Sequence, residues 1–245
     1  FSRRGYEVIL CNTGGDRAET LRYLQVVNQK QVDGIVLVGS VFDTICQGAK
    51  MEKLLTGVPV VLANGKLDLP NAYSVTVDDK YGVSLAVEHL AERGRQNIYY
   101  IKDRDTDSAK AKRNGFLEAM RRNGLEFADH VLEAGETLAS SMETVQALLT
   151  QGIVPDGIVC GEDLTAAGAL KALLRAGLRV PGQVAVVGFN NSDYAHLCEP
   201  VLTSVDNKPE QVALLCVQLL ESNIERSEAY SSVVLQPELA QGETS

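Results

Sequence analysis

The chain has 245 residues, of which 45% are hydrophobic and 22% are charged, and this composition excludes an intrinsically disordered protein. Its formal net charge of -9 at pH 7 repels phosphate backbones and anionic membrane surfaces, so the chain alone is predicted to bind nucleic acid poorly. A transmembrane helix is excluded too, because no run of about 18 apolar residues exists.

The cysteines indicate a reducing compartment. A disulfide framework needs a dense, paired set of cysteines, whereas here an odd set is spread thinly without CxxC spacing. Most lie in apolar runs, where a thiol packs as a small hydrophobic group. We therefore predict a cytoplasmic protein with free thiols at Cys11, Cys46, Cys160, Cys198 and Cys216.

Short β-branched runs alternate with segments of helical period along the whole chain. Strands are predicted at residues 6–11, 35–38, 58–62, 74–77, 98–101, 158–160, 184–187 and 232–235. Apolar residues recur every three or four positions within 21–27, 83–90, 142–149, 170–174 and 212–219, which predicts helices with one buried face. Alternating strands and helices predict an α/β fold with parallel sheets.

Two separate series of these elements predict two lobes. One series precedes Asp78 and the other extends from there to Val205, while the helix and the strand that follow are too little for a third domain. We predict a first subdomain of residues 1–77 and 206–230, and a second of residues 78–205 and 231–245.

Catalytic and cofactor templates are absent. The sequence lacks GxSxG, HExxH, GxGxxG and the P-loop pattern. His89 and Glu92 share a helix face, but that pair is common by chance. Ser192, Asp193 and His196 lie close in sequence, whereas triad members normally converge from separate segments. The chain is therefore predicted to be no enzyme and to hold no metal or cofactor.

Polar side chains follow several predicted strands. Asn64, Glu162 and Asn190 each come directly after an apolar strand, where open α/β sheets bind ligands. Lys112 and Arg113 begin a helix and are candidate cationic donors to a cleft between the lobes. The alternative for each residue is a turn or a helix cap, and Thr137 and Asp163 in particular stand at predicted helix starts.

Five segments together resemble one known family. In chain order they are GYEVILCNTGGDRAETLRYLQVVNQKQVDGIVLVGS, GVSLAVEHLAERGRQNIYYI, GEDLTAAGALKALLRAGLRVPGQVAVVGF, VVGFNNSDYA with PVLTSV, and VVLQPELAQGETS. They resemble the effector-binding core of the lactose-repressor (LacI) family of bacterial transcription regulators. The resemblance implies a periplasmic-binding-protein-like type I fold, in which two Rossmann-like subdomains are joined by three crossover strands. It also implies a small-molecule effector in the cleft, a homodimer, and operator binding through an upstream helix-turn-helix headpiece, followed by a first core strand and helix, all of which we expect to be missing here.

The resemblance assigns effector contacts at matching positions. Asn64 and Asn190 stand where the family commonly has aspartates, and Lys112, with Arg113 beside it, stands where an arginine usually clamps the effector. Glu162 replaces an asparagine, and Thr137 replaces a ring that often stacks on a sugar. The two asparagines favour ligands that present acceptors, such as phosphorylated or carboxylated sugars, whereas Glu162 favours hydroxyl or amine donors. The predicted effector is thus a sugar or a related polar metabolite of undecided charge.

Two other functions stay open at this point. An exported solute-binding protein of a transport system would share the fold and the cleft, although free cysteines argue against an oxidising compartment. An enzyme of sugar or nucleotide metabolism would rest on fold analogy alone. In the predicted dimer, apolar residues near Val41, Phe42 and Ile45 are expected to be covered by the partner.

Overall fold

The computed structural model describes residues 2–225 and 232–245. A short 3-10 helix, Ser2–Arg4, comes first. The elements that follow are α1 (Arg17–Gln29), β1 (Ile35–Val38), α2 (Phe42–Ile45), α3 (Ala49–Leu55), β2 (Val60–Ala63), β3 (Ala72–Val77), α4 (Asp79–Glu92), β4 (Ile98–Lys102), α5 (Asp107–Arg122), β5 (Val131–Glu133), α6 (Leu138–Thr150), β6 (Gly157–Cys160), α7 (Asp163–Arg175), β7 (Ala185–Phe189), α8 (Asp193–Leu197), β8 (Thr203–Asp206), α9 (Pro209–Glu225), β9 (Val233–Leu235) and β10 (Glu238–Ala240).

The chain divides into two compact units. The first unit comprises Phe1–Thr76 and Glu210–Leu235, and the second comprises Val77–Pro209 and Gln236–Ser245. The chain thus passes between the units after Thr76, Pro209 and Leu235. The boundary predicted between residues 230 and 231 lies outside the described residues.

The sheet of the first unit has the strand order β1-β2-β3-β9. β1, β2 and β3 are parallel, and every residue of β2 is buried because helices cover the apolar strand. Phe42, Ile45 and Leu55 pack with β1 and β2 in one core cluster. Phe42 and Ile45 are therefore already buried by their own unit, which corrects the expectation that a partner covers them; Val41 is half-buried.

Two predicted strands differ from the structure. Residues 6–11 form no strand, and Val8 and Leu10 are 63% and 92% exposed, because the segment has no neighbouring strand to pair with among the described residues. A cavity of about 900 Å³ is lined by this segment and by β1.

The last predicted strand, β9, joins the first sheet, although residues 231–235 were predicted to belong to the second subdomain. The reason is its pairing with β3, which only tertiary contacts determine.

The sheet of the second unit has the strand order β10-β8-β7-β6-β4-β5. β8, β7, β6, β4 and β5 are parallel, and β10 is antiparallel to β8. Alternate residues of the central strands enter two different core clusters, one with α4 and α5 and the other with α6 and α7. Helices therefore cover both faces of the sheet, and the predicted α/β class with parallel sheets is confirmed.

Helix boundaries follow local chemistry. Thr106 caps α5 by accepting a hydrogen bond from the backbone N–H of Ala109, and Asp78 caps α4 in the same way through Tyr81. Gly94 follows the end of α4 and has a φ of 79°, which other residues adopt at a cost. None of the helices in the described part of the chain has both the length and the apolar character needed to cross a bilayer.

Candidate functional site

The parallel strands of the second unit end at one edge of the sheet. The residues that follow them are 103–106 after β4, 134–137 after β5, 161–163 after β6, 190–193 after β7 and 207–208 after β8. We call this set, with the first turns of α4 and α5, the carboxyl edge. Open α/β sheets bind ligands beyond this end of their strands, so the carboxyl edge is the candidate site of this unit.

Lys112 lies in the first half of α5 and is only 7% exposed. Its Nζ donates a hydrogen bond of 3.0 Å to the carbonyl oxygen of Gly161 and lies 3.9 Å from the centroid of the Phe189 ring. The ring face is a favourable neighbour for a cation. The charge of Lys112 is therefore compensated by the protein itself.

Arg113, the neighbour of Lys112, is exposed and has no hydrogen bond or ion pair within residues 2–225 and 232–245. Successive residues of a helix point about 100° apart, so the two side chains cannot face the same way. Of the two predicted cationic donors, the structure places Lys112 against the strand ends and leaves Arg113 in solvent.

Asp79 connects the first turns of α4 and α5. Its Oδ2 accepts a hydrogen bond of 2.5 Å from the Oγ of Ser108. Burial raises the pKa of Asp79, while Lys112 and the Ser108 hydroxyl oppose that rise. The carboxylate thus adds negative charge near Lys112.

Glu162 belongs to a group of charges centred on Arg104. The Nε of Arg104 is 3.3 Å from Oε1 of Glu162 and 3.3 Å from Oδ2 of Asp103, and its Nη2 is 3.6 Å from Oε2 of Glu136. We call these four residues the Arg104 cluster. Burial, and after it the charge of Asp103, raises the pKa of Glu162, whereas Arg104 and Lys112 oppose the rise. Glu162 is at the N-cap of α7 but makes no capping hydrogen bond.

Tyr100 brings a hydroxyl to the base of this cluster. The side chain is fully buried, and its Oη has no hydrogen-bond partner within the described chain. A Cβ added to Gly161 would lie 2.7 Å from Oδ1 of Asp103 and 3.1 Å from Oη of Tyr100. Glycine at residue 161 therefore leaves room for both polar atoms beside Glu162.

Asp163, the next residue, is structural. Its Oδ2 accepts hydrogen bonds from the N–H and the Oγ of Ser192 at 2.7 and 2.8 Å, and its Oδ1 accepts one from the Oγ of Ser204 at 2.6 Å. The side chain is fully buried. Asp163 thus connects the start of α7 to the loop after β7 and to β8, and these contacts account for the serine of the NNSD motif and the serine of the LTS motif.

Asn190 continues the pairing of β7 with β8. Its backbone N–H donates to the carbonyl oxygen of Val205 at 2.8 Å, and its φ of 105° turns the chain away from the strand. The side-chain Oδ1 accepts a hydrogen bond of 2.8 Å from Nδ2 of Asn207. The Nδ2 of Asn190 has no partner in the described residues, so a donor is free at this position.

Thr137 caps α6. Its Oγ1 accepts a hydrogen bond of 3.1 Å from the N–H of Ser140, and the Ser140 hydroxyl contacts the backbone of Thr137 in return. Such a capping box satisfies backbone groups that the helix leaves open. The capping alternative is thus what the structure shows for Thr137, whose side chain is exposed at the carboxyl edge.

Asn64 lies in the first unit, directly after β2. Its backbone N–H donates to the carbonyl oxygen of Val75 at 2.8 Å, and its φ of 54° is left-handed, which asparagine tolerates better than most residues. Within residues 2–225 and 232–245 its side-chain amide makes no hydrogen bond. Its effector contact stays a prediction.

The structure brings Lys112 to the carbonyl of Gly161, the residue before Glu162. Asn190 and Thr137 lie at the same edge of the sheet but after β7 and β5, which β6 and β4 separate. Four residues of the site were not predicted from the sequence: Tyr100, Asp103, Arg104 and Asn207. Asp103 and Arg104 follow the predicted strand 98–101 within three residues, so the strand-end rule could have found them. Tyr100 and Asn207 carry no such signal, because only packing shows where their polar atoms lie.

Comparison with known proteins identifies the family. A family model described as a periplasmic binding protein-like domain matches residues 87–245. A solved LacI transcriptional regulator from a Rhodococcus species is 30% identical to this chain, with a TM-score of 0.84. The match covers 99% of this chain and 88% of the solved chain. The chain belongs to the LacI family of transcriptional regulators. The predicted periplasmic-binding-protein-like fold and the family resemblance are thereby confirmed.

Two curated relatives of this LacI-family core are regulators of transcription. An HTH-type transcriptional regulator of Lachnoclostridium phytofermentans is 32% identical over 89% of the chain, and a ribose operon repressor of Halalkalibacterium halodurans is 31% identical over 92%. The match covers 66% of each relative, so the chain spans about two thirds of their length. These relatives do not favour the alternative of an exported solute-binding protein.

Proposed function

We propose that this LacI-family core binds a small polar metabolite at the carboxyl edge and thereby controls operator binding by the complete regulator. The observation that carries the proposal is the convergence of Lys112, Glu162 and Asn190 at the strand ends of the second unit, in a chain whose relatives regulate transcription. A relative named for the ribose operon supports a sugar or a sugar derivative as the class of effector.

The control is allosteric. An effector shifts an equilibrium between two conformations only by the difference between its affinities for them. A coupling free energy of about 1 to 3 kcal/mol would change operator affinity by roughly 5- to 150-fold. The predicted site residues are Asn64, Lys112, Arg113, Thr137, Glu162 and Asn190. Operator DNA is contacted by a helix-turn-helix headpiece of the complete protein, and the regulator acts in the cytoplasm as a homodimer.

The role is binding and not catalysis. The charged groups at the carboxyl edge already have partners, since Lys112 bonds a backbone carbonyl and Glu162 contacts Arg104. Neither is poised as a base beside a nucleophile. Incubation with the effector followed by its quantitative recovery tests this, and conversion of the effector to a product would contradict it.

A paired substitution tests the site. Asn190→Ala removes a free amide donor and should weaken effector binding about tenfold, as expected for one lost hydrogen bond of roughly 1.4 kcal/mol. Asn114→Ala is the matched control, because Asn114 is an exposed amide on α5. Effector affinity is measured by calorimetry with the compound that most stabilises the chain in a thermal-shift screen of metabolites. Equal affinities for the two variants would contradict the site.

Operator control needs the complete regulator. Operator affinity is measured by fluorescence anisotropy at fixed salt, with and without that compound. The proposal expects a change of at least about fivefold in the wild type and a smaller one in Asn190→Ala. An effector that binds tightly and leaves operator affinity unchanged would overturn the regulatory role while leaving the binding site in place.

A further inference from the structure

Two lysines beside the carboxyl edge, Lys112 and Lys102, already have partners. Lys112 bonds the carbonyl oxygen of Gly161 and lies over the Phe189 ring, and it is nearly buried. Lys102 is 3.4 Å from Oδ1 of Asp105 and 3.2 Å from Oε1 of Glu133. An anionic ligand would have to break these contacts before it gained any of its own.

Negative charge is in excess in the Arg104 cluster. A single guanidinium contacts the carboxylates of Asp103, Glu136 and Glu162. The side chain of Asp103 is 6% exposed and that of Glu162 is 29% exposed, so solvent screens this excess only in part. Carboxylates accept hydrogen bonds and donate none, which suits a ligand rich in hydroxyl or ammonium groups.

A buried, unused hydroxyl marks the same place. The Oη of Tyr100 lies at the base of the cluster beside Asp103 and Gly161 and has no partner in the described chain. Buried polar atoms are almost always hydrogen-bonded, so an unsatisfied one needs an explanation. A ligand hydroxyl, or a water molecule that bridges to it, would supply the missing partner.

From these three observations we infer that the effector is a polyhydroxylated molecule without negative charge, either neutral or carrying an amine, and that the Arg104 cluster excludes phosphorylated and carboxylated analogues. The inference rests on the proposed function and narrows its ligand class. On this inference, Glu162 and Arg104 determine whether the site prefers a neutral or an anionic ligand. The amide of Asn190 then contacts a ligand hydroxyl and does not select for an anion.

Matched ligands test the charge preference. The 245-residue chain is titrated by thermal shift and calorimetry with neutral mono- and disaccharides, with their amino sugars, and with the corresponding sugar phosphates and sugar acids. The tightest compound should be neutral or amine-bearing, and its phosphate or carboxylate analogue should bind at least about tenfold more weakly. An anionic compound as the tightest ligand would overturn the inference and leave the proposed function intact, whereas no binding in any class would overturn both.

Variants assign the preference to the cluster. Glu162→Gln should reduce the ratio of neutral to anionic affinity by about tenfold, because it removes one repelling charge at the same shape. Glu88→Gln is the control, since Glu88 pairs with Arg122 at the other ends of α4 and α5 and should leave the ratio unchanged. The Arg104 cluster would not set the charge preference if Glu162→Gln left the ratio of neutral to anionic affinity unchanged. The same conclusion would follow if Arg113→Ala abolished the binding of anions.

Discussion

Buried charged side chains of the second unit are held by hydrogen bonds and not by exposed ion pairs. Asp163 accepts three hydrogen bonds and Lys112 donates one, while both are almost completely removed from solvent. A buried charge costs several kcal/mol unless such partners are present. Asp163 and Lys112 therefore depend on loops that come from distant parts of the chain, and those loops depend on them.

Removing the Asp163 carboxylate should destabilise the fold. Asp163→Ala leaves the N–H and Oγ of Ser192 and the Oγ of Ser204 without their acceptor, so the free energy of unfolding should fall by about 3 kcal/mol or more. Urea denaturation measures this. Asp193→Ala, which changes an exposed aspartate nearby, should alter it by less than about 0.5 kcal/mol. Similar losses in the two variants would show that Asp163 has no special structural role.

His89 should make stability depend on pH. Burial lowers the pKa of His89 below its usual 6.5. The charge of Arg93 adds to this shift, whereas the charge of Glu92 opposes it. Between the lowered pKa of His89 in the folded chain and about 6.5, the unfolded chain binds more protons than the folded chain. The free energy of unfolding therefore rises with pH across that window and no longer changes through His89 above it. Tm should fall as the pH is lowered from about 7.5 to about 5.5. His89→Gln should remove part of that fall, and an unchanged pH profile in this variant would contradict the assignment.

Helices α4 and α5 approach each other closely at one glycine. A Cβ on Gly115 would overlap the backbone carbonyl of Lys80 in the first turn of α4. The close contact holds α5 in the position from which Lys112 reaches Gly161. One residue without a side chain thus sets the geometry of a helix pair and, through it, of the carboxyl edge.

Gly115→Ala should therefore destabilise the protein although alanine favours helices. Helix propensity alone would add about 1 kcal/mol, but overlap with a backbone atom should outweigh it and leave a net loss of about 2 kcal/mol. The control is Asn114→Ala, an exposed position of the same helix, which should be neutral or slightly stabilising. Both are measured by thermal unfolding, and a stabilised Gly115→Ala protein would contradict the packing argument.

At the scale of the whole molecule, each unit has its own sheet and its own buried core. The charge of -9 belongs to the whole chain, and an acidic surface repels the phosphate backbone. The operator binding proposed for the complete regulator therefore requires residues other than the average surface of this core.

The chain by itself should not bind DNA. At about 150 mM salt, micromolar amounts should leave the mobility of a fluorescent duplex unchanged, because net repulsion leaves no counterion release to drive binding. Gel mobility and anisotropy measure this, with the complete regulator on the same duplex as the positive control. Salt-dependent binding by the 245-residue chain alone would show a basic surface that the net charge conceals.

Sequence alone determined the α/β class, most strands and helices and the strand-end positions of Glu162 and Asn190, because these follow from local periodicity and from the order of apolar runs. The family was indicated by the resemblance of five segments to known regulators. Tertiary structure decided which of Lys112 and Arg113 faces the strand ends, since that depends on how α5 packs against α4. It also decided that β9 joins the first sheet, that residues 6–11 form no strand and that Arg104 contacts three carboxylates. Strand pairing and charge compensation involve residues that are far apart in the chain, so local sequence patterns do not predict them.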